Sequence, residues 1–457
     1  MSGPTGLTRR DFIKATTVVG SAIGVGAVGL LKPQGALGLG QSGGDYDIVV
    51  VGGGPGGFAA AVAGARFGGK VLLVEREGCM GGAATTMHVH PFMSHVTSRD
   101  AKGTRKVVNA GIFAEVVRRL RSRGAASGRN VIRFHEEQLK LTLDTMAQEA
   151  GVEVIYHTSL YDAVQEGKRV KTILLANNGG PLRVSGKVFV DGTGDALLAA
   201  SAGAQCMYGD DEGKVMNMGL MFTVAAVDTK AMPTTDEVKR MVRAGADDKP
   251  ALINTMMGTL SIPRPRHVHI NAISIPGNPL NPDDLSFAEI EGRRRVDNFV
   301  TWLKAKVPGF GRCYLVKTAG SVGIRESRRV RGDYVLTGED YRRAAKFDDG
   351  VAACSYYADR HGRSQGGRLG PGEYYQIPYR CLTAGSLENL LVVGRCISAD
   401  TTAQSSLRIM PTSMCTGQAA GIAAAMSLPS GEVRKIDVQG LRRRIVADGG
   451  VIDAKTL

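Results

Sequence analysis

The sequence predicts an α/β fold built on a parallel sheet wound with helices, and three stretches of the chain predict it. Residues 47–51 (DIVVV) form a β-branched run suited to a strand buried on both faces. That run feeds a glycine turn and a small-residue helix before the next apolar run at 70–74, the order of a strand–helix–strand unit. Two later runs, 187–190 and 390–393, each end in a polar glycine turn, where open parallel sheets place their ligand loops.

The whole chain supports this reading. Its 457 residues, 43% hydrophobic and 22% charged, suffice for two or three units with full cores. Glycine, 61 residues, is about twice its usual share and follows no triplet period, so the excess belongs to tight turns and close backbone approaches. The 57 Lys and Arg against 43 Asp and Glu give a net charge of +14. These basic residues are scattered in short clusters without a nucleic-acid motif, so a solvated basic surface is expected and no nucleic-acid partner. An anionic substrate or an acidic envelope surface stays compatible with that charge. Seven cysteines, at 79, 206, 313, 354, 381, 396 and 415, contain no C-x-x-C pair. They read as small buried apolar residues, and neither a redox disulfide nor a structural metal is expected.

At the N-terminus, Thr8-Arg9-Arg10-Asp11-Phe12-Ile13-Lys14 resembles the twin-arginine export signal. The uncharged stretch 15–31 that follows, softened by four glycines, is short and weakly apolar for a membrane span and fits a signal h-region. Residues 33–44 are Gly- and Ser-rich and read as a flexible joint. No clean A-x-A site marks cleavage, so removal and retention as an anchor both stay open. The expected location is the periplasm, the exterior or the envelope surface, with the twin-arginine translocase as a partner.

Gly52, Gly54 and Gly57 satisfy G-x-G-x-x-G directly after the first strand. The first permits the turn, the second admits a diphosphate to the backbone, and the third lets the helix pack on the strand. The helix N-terminus supplies free N–H groups and a positive dipole end. The second strand ends at Glu75, where a carboxylate accepts both ribose hydroxyls and repels a 2′-phosphate. This unit alone does not separate FAD from NAD.

Further blocks do. They are Met80-Gly81-Gly82, Asp191-Gly192-Thr193-Gly194-Asp195, Val307-Pro308-Gly309-Phe310, Gly323-Ile324-Arg325-Glu326-Ser327-Arg328-Arg329, Asp359-Arg360-His361, Ile377-Pro378-Tyr379-Arg380 and Gly394-Arg395-Cys396-Ile397-Ser398. A late helix beginning near Pro411 carries Gly417, Ala420 and Gly421 on one small face. Over roughly residues 45–430 the chain resembles the FAD-dependent oxidoreductases of the glutathione-reductase-like fold. The resemblance implies a Rossmann-like, discontinuous FAD-binding domain with an inserted α+β substrate or capping domain. Its divisions would be a signal and linker at 1–44, FAD-binding segments at 45–204 and 384–430, the inserted domain at 205–383 and a terminal helix at 431–457. It implies FAD as cofactor, with Gly52, Gly54 and Gly57 on the diphosphate, Glu75 on the adenosine ribose, and Gly81 and Gly82 near the diphosphate or flavin. Asp195, Gly394 and Arg395 would line other parts of FAD, and the helix opening near Pro411 would face the flavin N1–C2=O region. Two departures matter: Cys79 lacks the second cysteine of disulfide reductases, and no second G-x-G-x-x-G marks an NAD(P)H domain.

Catalytic candidates lie mostly in the inserted segment. Arg325 either clamps a substrate carboxylate or joins Glu326 in bracing two domains. His361, near Asp359 and before a glycine-rich loop, is either a general acid or base or a surface loop residue. Arg408 and Tyr379 follow. His88, His90 and His95 after the Gly82 turn raise a covalent flavin link as a hypothesis, against ordinary site-lining or surface histidines. The expected activity is hydride transfer between flavin and a small organic substrate at a C–C or C–O bond, with a quinone, small redox protein or oxygen as electron partner. The alternative is a flavin-bearing electron-transfer subunit of an envelope complex.

Overall fold

The computed structural model describes residues 45–245, 255–361 and 367–456. The twin-arginine motif, the linker and most of the glycine-rich loop after His361 lie outside the described residues.

Strand β1 (Asp45–Val51) is aliphatic on both faces and buried from Ile48 onward. It turns through Gly52 into helix α1 (Pro55–Arg66), and strand β2 (Val71–Val74) returns parallel to it. Helix α2 (Glu136–Glu149) precedes β3 (Glu153–Ile155), which adds to β2 in parallel. Strands β4 (Ser159–Glu166), β5 (Arg169–Asn177) and β6 (Gly180–Asp191) follow as an antiparallel meander. Strand β6 is longer than the run expected at 187–190. Its first half alternates buried with exposed residues beside β5, and only 188–191 are continuously buried where it runs parallel to β1. Continuous apolar sequence therefore marks only the part covered on both faces.

A second, antiparallel sheet comprises β7 (Phe222–Ala225), β8 (Thr255–Arg264), β9 (His267–Ile273) and β10 (Tyr314–Thr318), in the order β8-β9-β7-β10. Helix α3 (Pro282–Lys306) covers it, Phe299 standing edge-on to Phe222 at 6.3 Å and stacked on Trp302 at 5.5 Å. Asn281 caps this helix by accepting from Asp283 and Asp284 N–H, and Pro282 starts it with no N–H to satisfy. The core of this region runs from Met218 to Val322. The segment expected as one inserted domain, 205–383, thus divides. Val330, Leu336, Tyr341 and the strands β11 (Gly350–Cys354) and β12 (Tyr375–Pro378) belong to the first core instead. Both strands are buried throughout and pair with each other, so their apolar faces need the larger core.

Strand β13 (Leu390–Val392) then joins the end of β6 in parallel, completing a seven-stranded sheet. Helices α4 (Thr401–Leu407), α5 (Met410–Ser427) and α6 (Val438–Ala447) end the described chain but for a short strand. The small face of α5 lies on α1: a Cβ at Gly417 would stand 2.0 Å from Gly56 O, and one at Gly421 2.2 Å from Ala60 O. This is a mixed α/β fold on a Rossmann-like parallel core. Among the described residues no helix is long and apolar enough to cross a membrane.

Candidate active site

A cavity of about 620 Å³ runs from the carboxyl ends of β1, β2, β6 and β13 into the second sheet. At its near end the turn after β1 is made by backbone. Gly52 has φ +93°, and a Cβ there would meet the Gly192 and Thr193 backbone at 2.7 Å. A Cβ at Gly57 would lie 1.8 Å from Gly52 O, so only glycine lets α1 start this close to β1. Gly54 differs. Its nearest protein neighbour would be Gly192 O at 3.8 Å, so the fold itself leaves room there, and the residue lines the cavity. It also precedes a helix start that has neither a side-chain cap nor an acidic residue in its first turn. That open, positive end fits a diphosphate.

Glu75 stands at the end of β2, 6% exposed, with Oε2 accepting from Gly53 N–H at 2.6 Å and Oε1 from Glu77 N–H at 2.9 Å. Burial pushes its carboxyl up, and these two backbone donors pull the other way. It lines the cavity with lone pairs to spare for ribose hydroxyls. Gly82 also lines it and packs on Gly54, a Cβ there meeting Gly54 Cα at 3.1 Å. Gly81 does not line it. Its N–H donates to Gly53 O at 2.8 Å, which clamps one turn on the other.

Two expected cofactor contacts are corrected. Asp195 is absent from the cavity wall because its carboxylate accepts from Ser327 Oγ at 2.6 Å and from Arg395 at 2.5 Å. Arg395 does line the wall, and donates as well to Gly194 O at 2.7 Å and to Ile324 O, stitching three segments together. Pro411 is buried inside the first turn of α5, whereas Ile409, Met410 and Ser413 face the cavity beside Gly394. The N-terminus of α5 opens on the cavity through Ile409, Met410 and Ser413, without a side-chain cap and not through its proline.

The far end gathers charged side chains from separate elements. Arg325, 7% exposed, donates to Asn217 O at 2.7 Å and lines the cavity. Burial first, then the Arg408 charge, lower its guanidinium to about 10, so it stays charged at neutral pH. Arg408 donates to Asp359 O at 3.2 Å and lies 3.7 Å from the Asp359 carboxylate. His361 Nε2 is 3.0 Å from Asp359 Oδ2. Burial pushes the Asp359 carboxyl up, but the His361 hydrogen bond and the Arg408 and Arg325 charges outweigh it and keep the group ionised. Burial, then the Arg325 charge, lowers His361 to about 4 against the pull of Asp359. The ring is thus neutral, with Nε2–H donating to Asp359 and Nδ1 left as a lone-pair acceptor.

The structure also separates the two readings of the 325–329 run. Glu326 and Arg329, not Arg325, do the bracing. They pair at 2.5 Å, both nearly fully buried, Glu326 accepting from Met216 N–H while Arg329 donates to Ala399 O and Gly209 O. Tyr379 lies away from the cavity, its hydroxyl donating to Val433 O at 2.6 Å. Of the three histidines, His90 alone lines the cavity. His88 is hydrogen-bonded to Thr223 at 2.8 Å and His95 to Asn130 O at 3.0 Å. Buried His269 stands beside His88 and His90, at ring separations of 4.6 and 5.3 Å. Among the described residues no group of His, Cys, Asp or Glu is arranged to hold a metal ion, and all seven cysteines are unpaired. Tyr356 and Tyr357, with rings 4.4 Å apart, line the cavity unforeseen. Their only signal was an aromatic pair close before Asp359.

A family model described as FAD dependent oxidoreductase matches residues 47–445. Among curated proteins, a stretch of 68 residues is 37% identical to mitochondrial dihydrolipoyl dehydrogenase of Schizosaccharomyces pombe, covering 12% of this chain and 13% of that one. A stretch of 33 residues is 58% identical to dihydrolipoyl dehydrogenase of Acholeplasma laidlawii, covering 7% and 10%. The matches thus span about an eighth or less of those relatives' lengths. Among solved structures, a geranylgeranyl bacteriochlorophyll reductase-like protein of Thermoplasma acidophilum aligns with TM-score 0.45 at 13% identity, over 88% of this chain and 83% of that one. A myxobacterial FAD-dependent chondrochloren halogenase aligns with TM-score 0.44 at 13% identity, over 88% and 78%.

Proposed function

Since the chain belongs to the FAD dependent oxidoreductase family, we propose that it transfers a hydride between FAD and a small organic substrate, at a C–C or C–O bond. The observation that carries this reading is one cavity continuous from the glycine turn to the Arg325–Asp359–His361–Arg408 cluster. The near end fits FAD: Gly54 is bare toward the cavity although the fold leaves room for a side chain, and two uncapped helix starts face inward. The start of α1 would hold the diphosphate and Glu75 the ribose hydroxyls. The start of α5 would stabilise negative charge on the ring system by about 0.3–2 kcal/mol. When bound, FAD supplies the two-electron chemistry.

The chain's own residues do the rest. Asp359 fixes the His361 ring so that Nδ1 is the free lone pair, placing a proton acceptor at the far end. Arg325 and Arg408 supply positive charge where a substrate oxygen gains negative charge. An electron-transfer subunit has no use for so developed a far end. Electrons would pass to or from a quinone, a small redox protein or oxygen. Anaerobic mixing of the loaded protein with candidate donors tests the activity. A substrate that bleaches the visible flavin band, more slowly when deuterated at the reacting carbon, supports hydride transfer, and bleaching without any deuterium effect contradicts it. The export reading rests on residues 8–14 alone. Replacing Arg9 and Arg10 by Lys is expected to hold the protein in the cytoplasm, as fractionation would show, and unchanged export would refute the signal.

A further inference from the structure

We propose that the far end of the cavity binds the carboxylate of a small organic acid through Arg408 and Arg325. This inference rests on the flavoenzyme reading and names the substrate class for it. Arg408 lines the cavity, and its Nε is buried without a hydrogen-bond partner. A buried guanidinium N–H left unmated is costly, so an acceptor belongs opposite it. Arg325, itself 7% exposed, faces the same space.

The charges argue in the same direction. Two guanidinium groups face a single carboxylate, Asp359, and the His361 imidazole bonded to that carboxylate is neutral. Other charged groups on the cavity wall do not balance them. Arg395 is already matched by Asp195, and Glu75 and Glu77 stand at the ribose end of the sheet. Lys239, also on the wall, pairs with Asp236. Among the described residues this end carries one positive charge in excess. A carboxylate restores neutrality, and its two oxygens suit the planar donor fork of arginine. A neutral alcohol or ketone could accept from the Nε–H but leaves the charge unmatched.

Benzoate and acetate, with benzamide and acetamide as uncharged counterparts, test this when titrated into the FAD-loaded protein. Flavin absorption and the thermal midpoint are both followed. The acids are expected to shift both signals saturably and the amides to shift neither. R408Q should weaken benzoate at least about ten-fold while retaining about one FAD per chain. Should R408Q not fold, R408K keeps the charge but loses the fork, and should still weaken benzoate. Amides acting as well as the acids, acids that do not act, or an R408Q protein that binds benzoate as tightly as the wild type overturns the proposal. So does an R408Q protein whose only change is in the flavin reduction potential, since Arg408 would then serve the reduced flavin. In each of these cases the bound FAD leaves the flavoenzyme reading standing, whereas a protein that takes up no FAD fails that reading instead.

Discussion

At the glycine-turn end of the cavity the wall is backbone and small residues, drawn from 52, 54–56 and 82, whereas at the far end it carries charged side chains from 325, 359, 361 and 408. The near end is local in sequence, since β1, the turn, α1 and β2 form one continuous stretch. The far end is assembled by the fold. Arg325 arrives just past the last buried member of the second core, Asp359 and His361 after β11, and Arg408 at the end of α4. The contrast teaches a division of labour. A backbone cradle serves any chemistry the cofactor offers, while side chains of remote origin select the substrate and can change without disturbing the cradle.

The largest expected effect breaks the bracing between these regions. Glu326→Gln removes the buried carboxylate that pairs with Arg329 at 2.5 Å and should cost about 3–5 kcal/mol in urea unfolding. Second, Gly57→Ala sets a methyl against Gly52 O, should cost about 3 kcal/mol, and should abolish flavin retention. Third, His361 separates the ends by pH. Its folded-state value, about 4, lies below the ordinary 6.5, so on acidification the unfolded chain takes up the proton first. Its contribution to stability is therefore lost as pH falls from about 6.5 toward 4. His361→Gln removes that loss, and between about pH 7 and pH 5 the variant should gain about 2 kcal/mol on the wild type in urea midpoints. The smallest stability effect is the sharpest test of the contrast. Gly54→Ala adds a methyl that the protein accommodates, so folding should change by at most about 0.5 kcal/mol. Flavin affinity, measured by fluorescence titration, should nevertheless fall at least about ten-fold, because the methyl enters the diphosphate space.

The same contrast sets how much could be read from the sequence. The glycines at 52, 54 and 57 and the carboxylate at 75 are legible because adjacent elements fix their geometry. Arg325, His361 and Arg408 could be nominated one at a time, but their convergence on Asp359 depends on contacts spanning tens of residues or more. The pairing of Asp195 with Arg395 is not legible because a glycine-flanked aspartate after a strand looks the same whether it faces a ligand or an arginine. Pro411 marked the start of a helix correctly while its neighbours took the exposed positions. The second core ended earlier than expected because β11 and β12 carry no signal of which core they join.

Whether this cavity holds FAD is decided by the visible spectrum of the purified chain before and after acid precipitation. A yellow protein that releases flavin into the supernatant at about one FAD per chain is expected. A colourless protein that also fails to take up added FAD would contradict it.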